Sequence, residues 1–258
     1  MVCQGLAFLP LITVIVPIVA FITAYVFAVL RKDVNPYFPY ISDTGTRIPE
    51  SCVFGQLLNI SSAIAICTIY VRYKLVQSMV QLGDASIMSY NKHTIVWGSL
   101  AVLGLSLVAN FQETSVEVVH VIGATFVLGF GVVYEFLQTS ISYKMYPVCN
   151  GLRICRIRLV ISIISLIGFI MSLVFAAISR YQGHPKDRLH WKPSDGGYTT
   201  HIISSVSEWI TAIAFLFFFT TYVKDFSKMK LDVVARVRVQ HLDEPVYDDL
   251  SEDSRLIT

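Results

Sequence analysis

Glu135 and Glu208 lie inside long apolar stretches, where a charge has no water to solvate it. Ionisable groups kept in such surroundings mark ligand contacts, proton relays or ion paths. At a similar depth to Glu208 the chain offers Asn59, Asn110, Glu117, His120 and His201. Together these residues form a candidate polar cluster, expected to line a cavity open to one membrane face. His120 and His201 are the type of side chain that changes charge near the pH of an acidic organelle. Three chemistries fit the cluster: hydrogen bonding between helices at ~0.6 kcal/mol per contact, binding of a lipid or small solute, and hydrolysis by an acid–base pair. Glu117 and Glu135 are 18 residues apart, so five regular helical turns would put them on one face, with His120 and Gln138 three residues beyond each. That spacing is roughly 27 Å of helix, which sets Glu135 apart from the cluster. No nucleophile elbow, paired-histidine helix or phosphate-cradling glycine loop occurs. Neither the cysteines nor the histidines have zinc-site spacing. No metal, no cofactor and no enzymatic activity are therefore expected.

The elements that must position these groups are membrane helices. A span needs roughly 20 mostly apolar residues, and six such stretches lie near 6–30, 52–70, 94–110, 116–134, 159–178 and 201–223. Hydrophobic residues make up 54% of the 258, and charged residues only 15%. The predicted fold is all-α, a polytopic six-transmembrane-helix bundle occupying 1–230, followed by a disordered tail over 231–258. No connecting segment is long enough to bury a soluble core of its own, and nothing suggests a nucleic-acid partner. An even number of spans puts both termini on one side. The segments on that side carry 13 of the 20 basic residues, which makes it the cytosolic side. The first stretch lacks a basic leader and reads as a permanent helix rather than a signal peptide, with Pro10 and Pro17 loosening it. Cys149 and Cys155 flank a basic loop and are candidates for palmitoylation. Asn59-Ile60-Ser61 has the form of a glycosylation acceptor, but it falls within a span and is not expected to be used.

The most patterned connection follows the first span. Asn35-Pro36-Tyr37-Phe38-Pro39-Tyr40 cannot be helical, because each proline disfavours helix in the residue before it. Ser42-Asp43-Thr44-Gly45-Thr46 reads as a tight turn with an Asp or Thr side chain closing on the backbone. An interfacial or re-entrant loop is expected here, with ligand binding as the alternative role. At the other end of the chain, Lys224, Lys228, Lys230, Arg236 and Arg238 form a basic run suited to anionic lipid. The acidic tail beyond it contains two patterns that resemble endolysosomal sorting signals read by clathrin adaptors. Tyr247-x-x-Leu250 resembles the tyrosine type and Glu252-x-x-x-Leu256-Ile257 the acidic dileucine type. Each offers apolar plugs for adaptor pockets on an extended strand.

The segments Pro39-Tyr40-Ile41-Ser42-Asp43-Thr44-Gly45-Thr46, Tyr70-Val71-Arg72-Tyr73-Lys74, Ala109-Asn110-Phe111-Gln112, Glu208-Trp209 and Thr221-Tyr222-Val223-Lys224-Asp225-Phe226 occur in an order that resembles the DRAM family, the damage-regulated autophagy modulators. The resemblance runs from about residue 6 to residue 230 and is most specific over Pro39–Thr46; the tail ending resembles the lysosomal branch of the family. The wider group includes a lipid-remodelling factor for GPI anchors and a yeast phosphoinositide regulator. The resemblance implies a multi-pass protein of the lysosomal or late-endosomal membrane that promotes autophagy, with links to apoptosis in some members. It carries over no settled catalytic residues. Membrane lipids and clathrin adaptors are the expected partners, and the direct autophagy partners are left open. Two rival functions remain at this level: a lipid-binding or lipid-remodelling factor using the polar cluster, and a small-solute or proton-coupled transporter.

Overall fold

The structure, a computed structural model, describes residues 5–80, 85–183, 185 and 187–229. Tyr247, Leu250, Glu252, Leu256 and Ile257 of the sorting patterns lie outside the described residues. So do Lys230, Arg236 and Arg238 of the basic run. The described chain is helical: α1 (Phe8–Leu30), α2 (Ile41–Thr44), α3 (Glu50–Met79), α4 (Ala85–Asn110), α5 (Glu117–Thr125), α6 (Gly131–Lys144), α7 (Leu152–Gln182), α8 (Tyr198–Thr220) and α9 (Val223–Phe226). A π-helical turn, Phe126–Phe130, joins α5 to α6. Six helical segments are long and apolar enough to cross a membrane, with α5–α6 and α8–α9 each counting as one. The chain is a multi-pass membrane protein.

Several helices outrun their apolar stretches. α3 continues to Met79 rather than ending near residue 70, α4 begins at Ala85 rather than near 94, and α7 covers Leu152–Gln182 rather than 159–178. Hydropathy marks only what lipid must cover. The backbone keeps its helical hydrogen bonds past that point, and 30 residues of helix span about 45 Å against a hydrocarbon layer of about 30 Å.

The spans form a closed ring in sequence order. α1 packs on α3, α3 on α4, α4 on α5–α6, α6 on α7, α7 on α8, and α8 returns to α1. Short connections between antiparallel helices favour this up-and-down arrangement. Leu6 donates its N–H to the carbonyl of Phe226 at 3.1 Å, so the two described chain ends meet at one end of the bundle, called here the termini end. The long connections meet at the other, the loop end. Large apolar side chains such as Ile15, Ile22, Phe27, Ile163, Ile167 and Phe217 point outward and are exposed. Small residues face inward: Ala20, Ala24 and Ala28 on α1, Ser162, Ser165 and Ser172 on α7, and Ser204 and Ser205 on α8. Lipid solvates a large apolar side chain as well as a core does, so membrane helices bring small residues together to pack closely. The Ser204 hydroxyl donates to the Ser172 carbonyl at 2.6 Å across the α7–α8 seam.

The π-helical turn corrects one expectation. A π turn takes in an extra residue, which rotates everything after it by about 100° relative to a regular helix. Glu117 and Glu135 therefore do not share a face. Glu117 meets Arg180 and Arg188 at the loop end, whereas Glu135 points into the ring.

Candidate functional site

The ring encloses a cavity of about 160 Å³. Its wall is built by α1, α2, α3, α4, the α5–α6 span and α8, and is chiefly aliphatic and aromatic. Polar groups gather at its two ends. Ser42, His120 and Glu208 stand at the loop end, and Tyr134 and Glu135 toward the termini end. Fifteen residues, about 22 Å of helix, separate His120 from Glu135. The separation is as the sequence spacing implies, yet one cavity reaches both residues.

The loop end is closed by the segment Pro39–Thr46. α2 sits below the rim of the bundle, because Ile41 donates its N–H to Glu208 Oε2 at 3.2 Å, and Glu208 is ten residues, about 15 Å, into α8. Asp43 Oδ2 accepts the N–H of Tyr40 at 3.3 Å, which caps the start of the short helix. The Thr44 and Thr46 hydroxyls donate to the carbonyls of Ile41 and Ser42, and the Ser42 hydroxyl donates to Glu113 Oε2 at 3.1 Å. Trp209 Nε1 donates to the Pro39 carbonyl at 2.9 Å. Ser42, Asp43, Thr44 and Thr46 are all buried. The segment is a plug, and Ile41 and Ser42 form part of the cavity wall. Gly45 fits only because it lacks a side chain: a Cβ there would run into the ring of Phe54, itself a wall residue. Burial, reinforced by Glu113 and Glu208, holds the Asp43 carboxyl well above its usual value of 3.8. Burial likewise pushes the Tyr40 phenol up.

The expected cluster of Asn59, Asn110, Glu117, His120, His201 and Glu208 is divided by the structure into separate sites. Only His120 and Glu208 line the cavity. His120 is buried and donates from Nδ1 to the Phe111 carbonyl at 2.6 Å, closing the α4–α5 turn. His201 lies between Tyr40 and Trp191, with ring centres 4.9 Å and 4.4 Å away, and ties the plug to the 181–200 connection. Asn59 and Asn110 bond to each other and to Ser106 on the outer side of α3 and α4. The Asn59 amide also donates to the Gly55 carbonyl. Glu117 pairs with Arg180 and Arg188 at 2.9 and 2.8 Å, in contacts with half-exposed partners. Depth in the membrane placed these groups at one level, but helix rotation decided which of them met.

A second polar centre lies at the termini end. Sequence reading assigns Arg72 and Arg158 to connections and leaves no basic residue inside a span. Both lie within helices, α3 and α7, at 2% and 0% exposure. They share one oxygen, Asp225 Oδ2, at 2.9 and 2.7 Å. Their guanidinium carbons sit 4.9 and 5.0 Å from the centre of the Tyr222 ring. Arg72 Nε donates to Gln138 Oε1, and Arg158 donates to Ser142 Oγ and to the Thr221 carbonyl. The Tyr222 hydroxyl bonds Tyr134, a wall residue, at 3.2 Å. This clasp joins α3, α6, α7 and α9 under the floor of the cavity. A cation beside an apolar run resembles an ordinary stop-transfer flank, so only the lone Asp225 among lysines hinted at a partner.

Cys155 is fully buried with its thiol directed at the Ser142 carbonyl, which removes it as a palmitoylation candidate. Among the described residues no group of three or more His, Cys, Asp or Glu side chains is placed to hold a metal ion.

Comparison with known proteins covers almost the whole bundle. DNA damage-regulated autophagy modulator protein 2 of Bos taurus is 43% identical over 235 residues, covering 90% of this chain and 88% of that protein. DNA damage-regulated autophagy modulator protein 1 of Homo sapiens is 41% identical over 234 residues, covering 91% of this chain and 96% of that protein. The modulator of macroautophagy TMEM150B of Bos taurus is 31% identical over 229 residues, covering 87% of this chain and 86% of that protein. No solved structure matches the chain. The family model described as Frag1/DRAM/Sfk1/Cwh43P N-terminal domain matches residues 5–229, from the residue before the Leu6–Phe226 contact to the last described residue. With its plug, cavity and arginine clasp all inside that match, the chain belongs to the Frag1/DRAM/Sfk1/Cwh43P family.

Proposed function

We propose that this protein is a non-enzymatic modulator of autophagy in the lysosomal or late-endosomal membrane, acting positively and through lipid or protein contacts. The observation that carries the reading is the similarity to proteins named as autophagy modulators, sustained over about nine-tenths of the chain. A cytosolic position for both termini is supported by the excess of basic residues on their side. The lysosomal address is supported by the patterns at Tyr247–Leu250 and Glu252–Ile257, which adaptors could read only from the cytosol. Deleting the gene should slow autophagic flux, measured as turnover of a lipidated autophagosome marker with and without blocked lysosomal acidification. Re-expression should restore it. Unchanged flux in the deleted line would refute the reading.

A second reading, a lipid-binding factor, is favoured by the cavity itself. Its wall is apolar, it is closed by a dedicated plug, and it carries acidic groups. Clefts of this kind, with a few placed polar groups, are the usual form of small-molecule sites.

A further inference from the structure

α7 and α8 touch near the middle of their lengths, where a Cβ on Gly168 would run into the Thr211 hydroxyl. From that contact toward the termini end they leave a recess of about 500 Å³ on the outer face of the ring, separate from the enclosed cavity. Ile157, Ile161 and Ile164 of α7 and Ile210, Ile213 and Phe217 of α8 line it, with Thr220 and Thr221 at its mouth. Ile210 to Thr221 is about 16 Å of helix, half of a hydrocarbon layer of about 30 Å, so the recess is one leaflet deep. The next turn of each helix brings a cation. Arg153 stands four residues before Ile157 and Lys224 three residues after Thr221, one turn along the same side in each case. Both are exposed, and among the described residues neither is in an ion pair. Asp225, next to Lys224 in the chain, is taken up by Arg72 and Arg158. Thr221 accepts a hydrogen bond from Arg158 Nε at 2.9 Å, so the mouth also rests on a clasp with two guanidinium groups and one carboxylate.

From this arrangement we infer that the groove between α7 and α8 is a binding site for an anionic glycerophospholipid of the leaflet at the termini end. One acyl chain lies along the isoleucines, and the head sits between Arg153 and Lys224. A dry cavity of about 150 Å³ holds the six carbons of benzene, so about 500 Å³ has room for about twenty, enough for one acyl chain. Each basic residue near the surface attracts an acidic head, whereas a zwitterionic lipid gains the apolar contacts alone. A second copy of this chain suits the groove less well. A two-fold pair with parallel helices would bring the cations of both copies together at the mouth. The groove lies outside the ring, so the inference does not rest on the enclosed cavity or on the lipid-binding reading drawn from it.

The test uses the full-length protein in phosphatidylcholine nanodiscs. A trace of phosphatidylserine or phosphatidylcholine carrying a mid-chain diazirine is added, and the adducts formed on irradiation are mapped on peptides. Phosphatidylserine is expected to label 157–164 and 210–221 at least about tenfold more than phosphatidylcholine at low salt, the scale of two basic residues near a surface. The preference should shrink at high salt. Arg153→Gln and Lys224→Gln together should remove it while phosphatidylcholine labelling stays as it was. Equal labelling by the two lipids would overturn the inference, as would a preference that survives the double change. Adducts no denser in the groove than at Ile15 and Ile22 of α1 would also overturn it, and so would a dimer that shields the groove from both lipids. If the double variant fails to fold, the comparison of the two heads on the unaltered protein decides alone. None of these outcomes bears on autophagic flux, so failure here is distinct from failure of the autophagy reading.

Discussion

Asp225 shows what one side chain contributes when two buried cations depend on it. Arg72 and Arg158 both direct guanidinium N–H groups at the same carboxylate oxygen, and neither is accessible to water. Removing one partner of a buried ion pair costs about 3–5 kcal/mol, because the charge left behind stays desolvated. Asp225→Ala is therefore expected to lower thermal stability in detergent strongly, as read by the unfolding midpoint. Glu117→Ala should shift that midpoint little, since exposed pairs contribute about 0–1 kcal/mol. Asp43 gives a prediction in pH. Its raised carboxyl binds a proton more tightly in the folded than in the unfolded chain. The stabilisation it contributes is complete below the ordinary value and lost as pH rises through the folded value. The groups around it, Tyr40, Glu113, Glu208 and Asp187, add no cation to reverse that sign. Amide hydrogen exchange across 41–46 should be slower at about pH 5 than at about pH 7.5, after correction for the intrinsic rate. Asp43→Asn should reduce the difference, and a plug protected equally at both pH values in the unaltered protein would contradict the argument.

At the scale of elements, the plug is held from three directions: by α8 through Glu208 and Trp209, by the α4–α5 turn through Glu113, and by α3 through the contact of Gly45 with Phe54. Gly45→Val would drive a branched side chain into the Phe54 ring. Overpacking of that kind typically costs about 1–3 kcal/mol. Faster hydrogen exchange over 41–46 should accompany the loss, while exchange in α7 should remain as it was. Trp209→Phe removes the hydrogen bond to Pro39, at about 1 kcal/mol, together with part of the ring that packs edge-on against Phe21, and should have a smaller effect on the plug than Gly45→Val. The π-helical turn works on the same scale. By rotating α6 relative to α5 it sends Glu135 into the cavity and leaves Glu117 at the loop end.

For the whole molecule, the closed ring explains how a chain so apolar keeps a polar interior. Each span packs on its sequence neighbours, so the ring forms through local connections, and the polar groups are enclosed as it closes. The proposed address is a property of the tail. Replacing Tyr247, Leu256 and Ile257 with Ala should move the protein toward the cell surface, measured by surface biotinylation. Unchanged lysosomal residence would remove the sorting argument without affecting the bundle. Protease treatment of intact lysosomes should cut the tail and spare the 181–200 connection, which checks the orientation.

Hydropathy alone determined the number of spans, their order and the shared side of the termini, because a bilayer imposes a minimum apolar length that composition reveals directly. The segment Pro39–Thr46 was legible as a special loop from its prolines and turn residues, and His120 and Glu208 from their depth. What sequence could not decide was facing. Depth follows from counting residues, whereas rotation depends on the π turn, on small-residue seams and on partners far away in the chain. Hence Asn59, Asn110, Glu117 and His201 parted from the cavity and Glu135 joined it. The arginine clasp was hidden for the same reason. Arg72, Arg158 and Asp225 are separated by up to 153 residues, and only the closing of the ring brings their charges to one point.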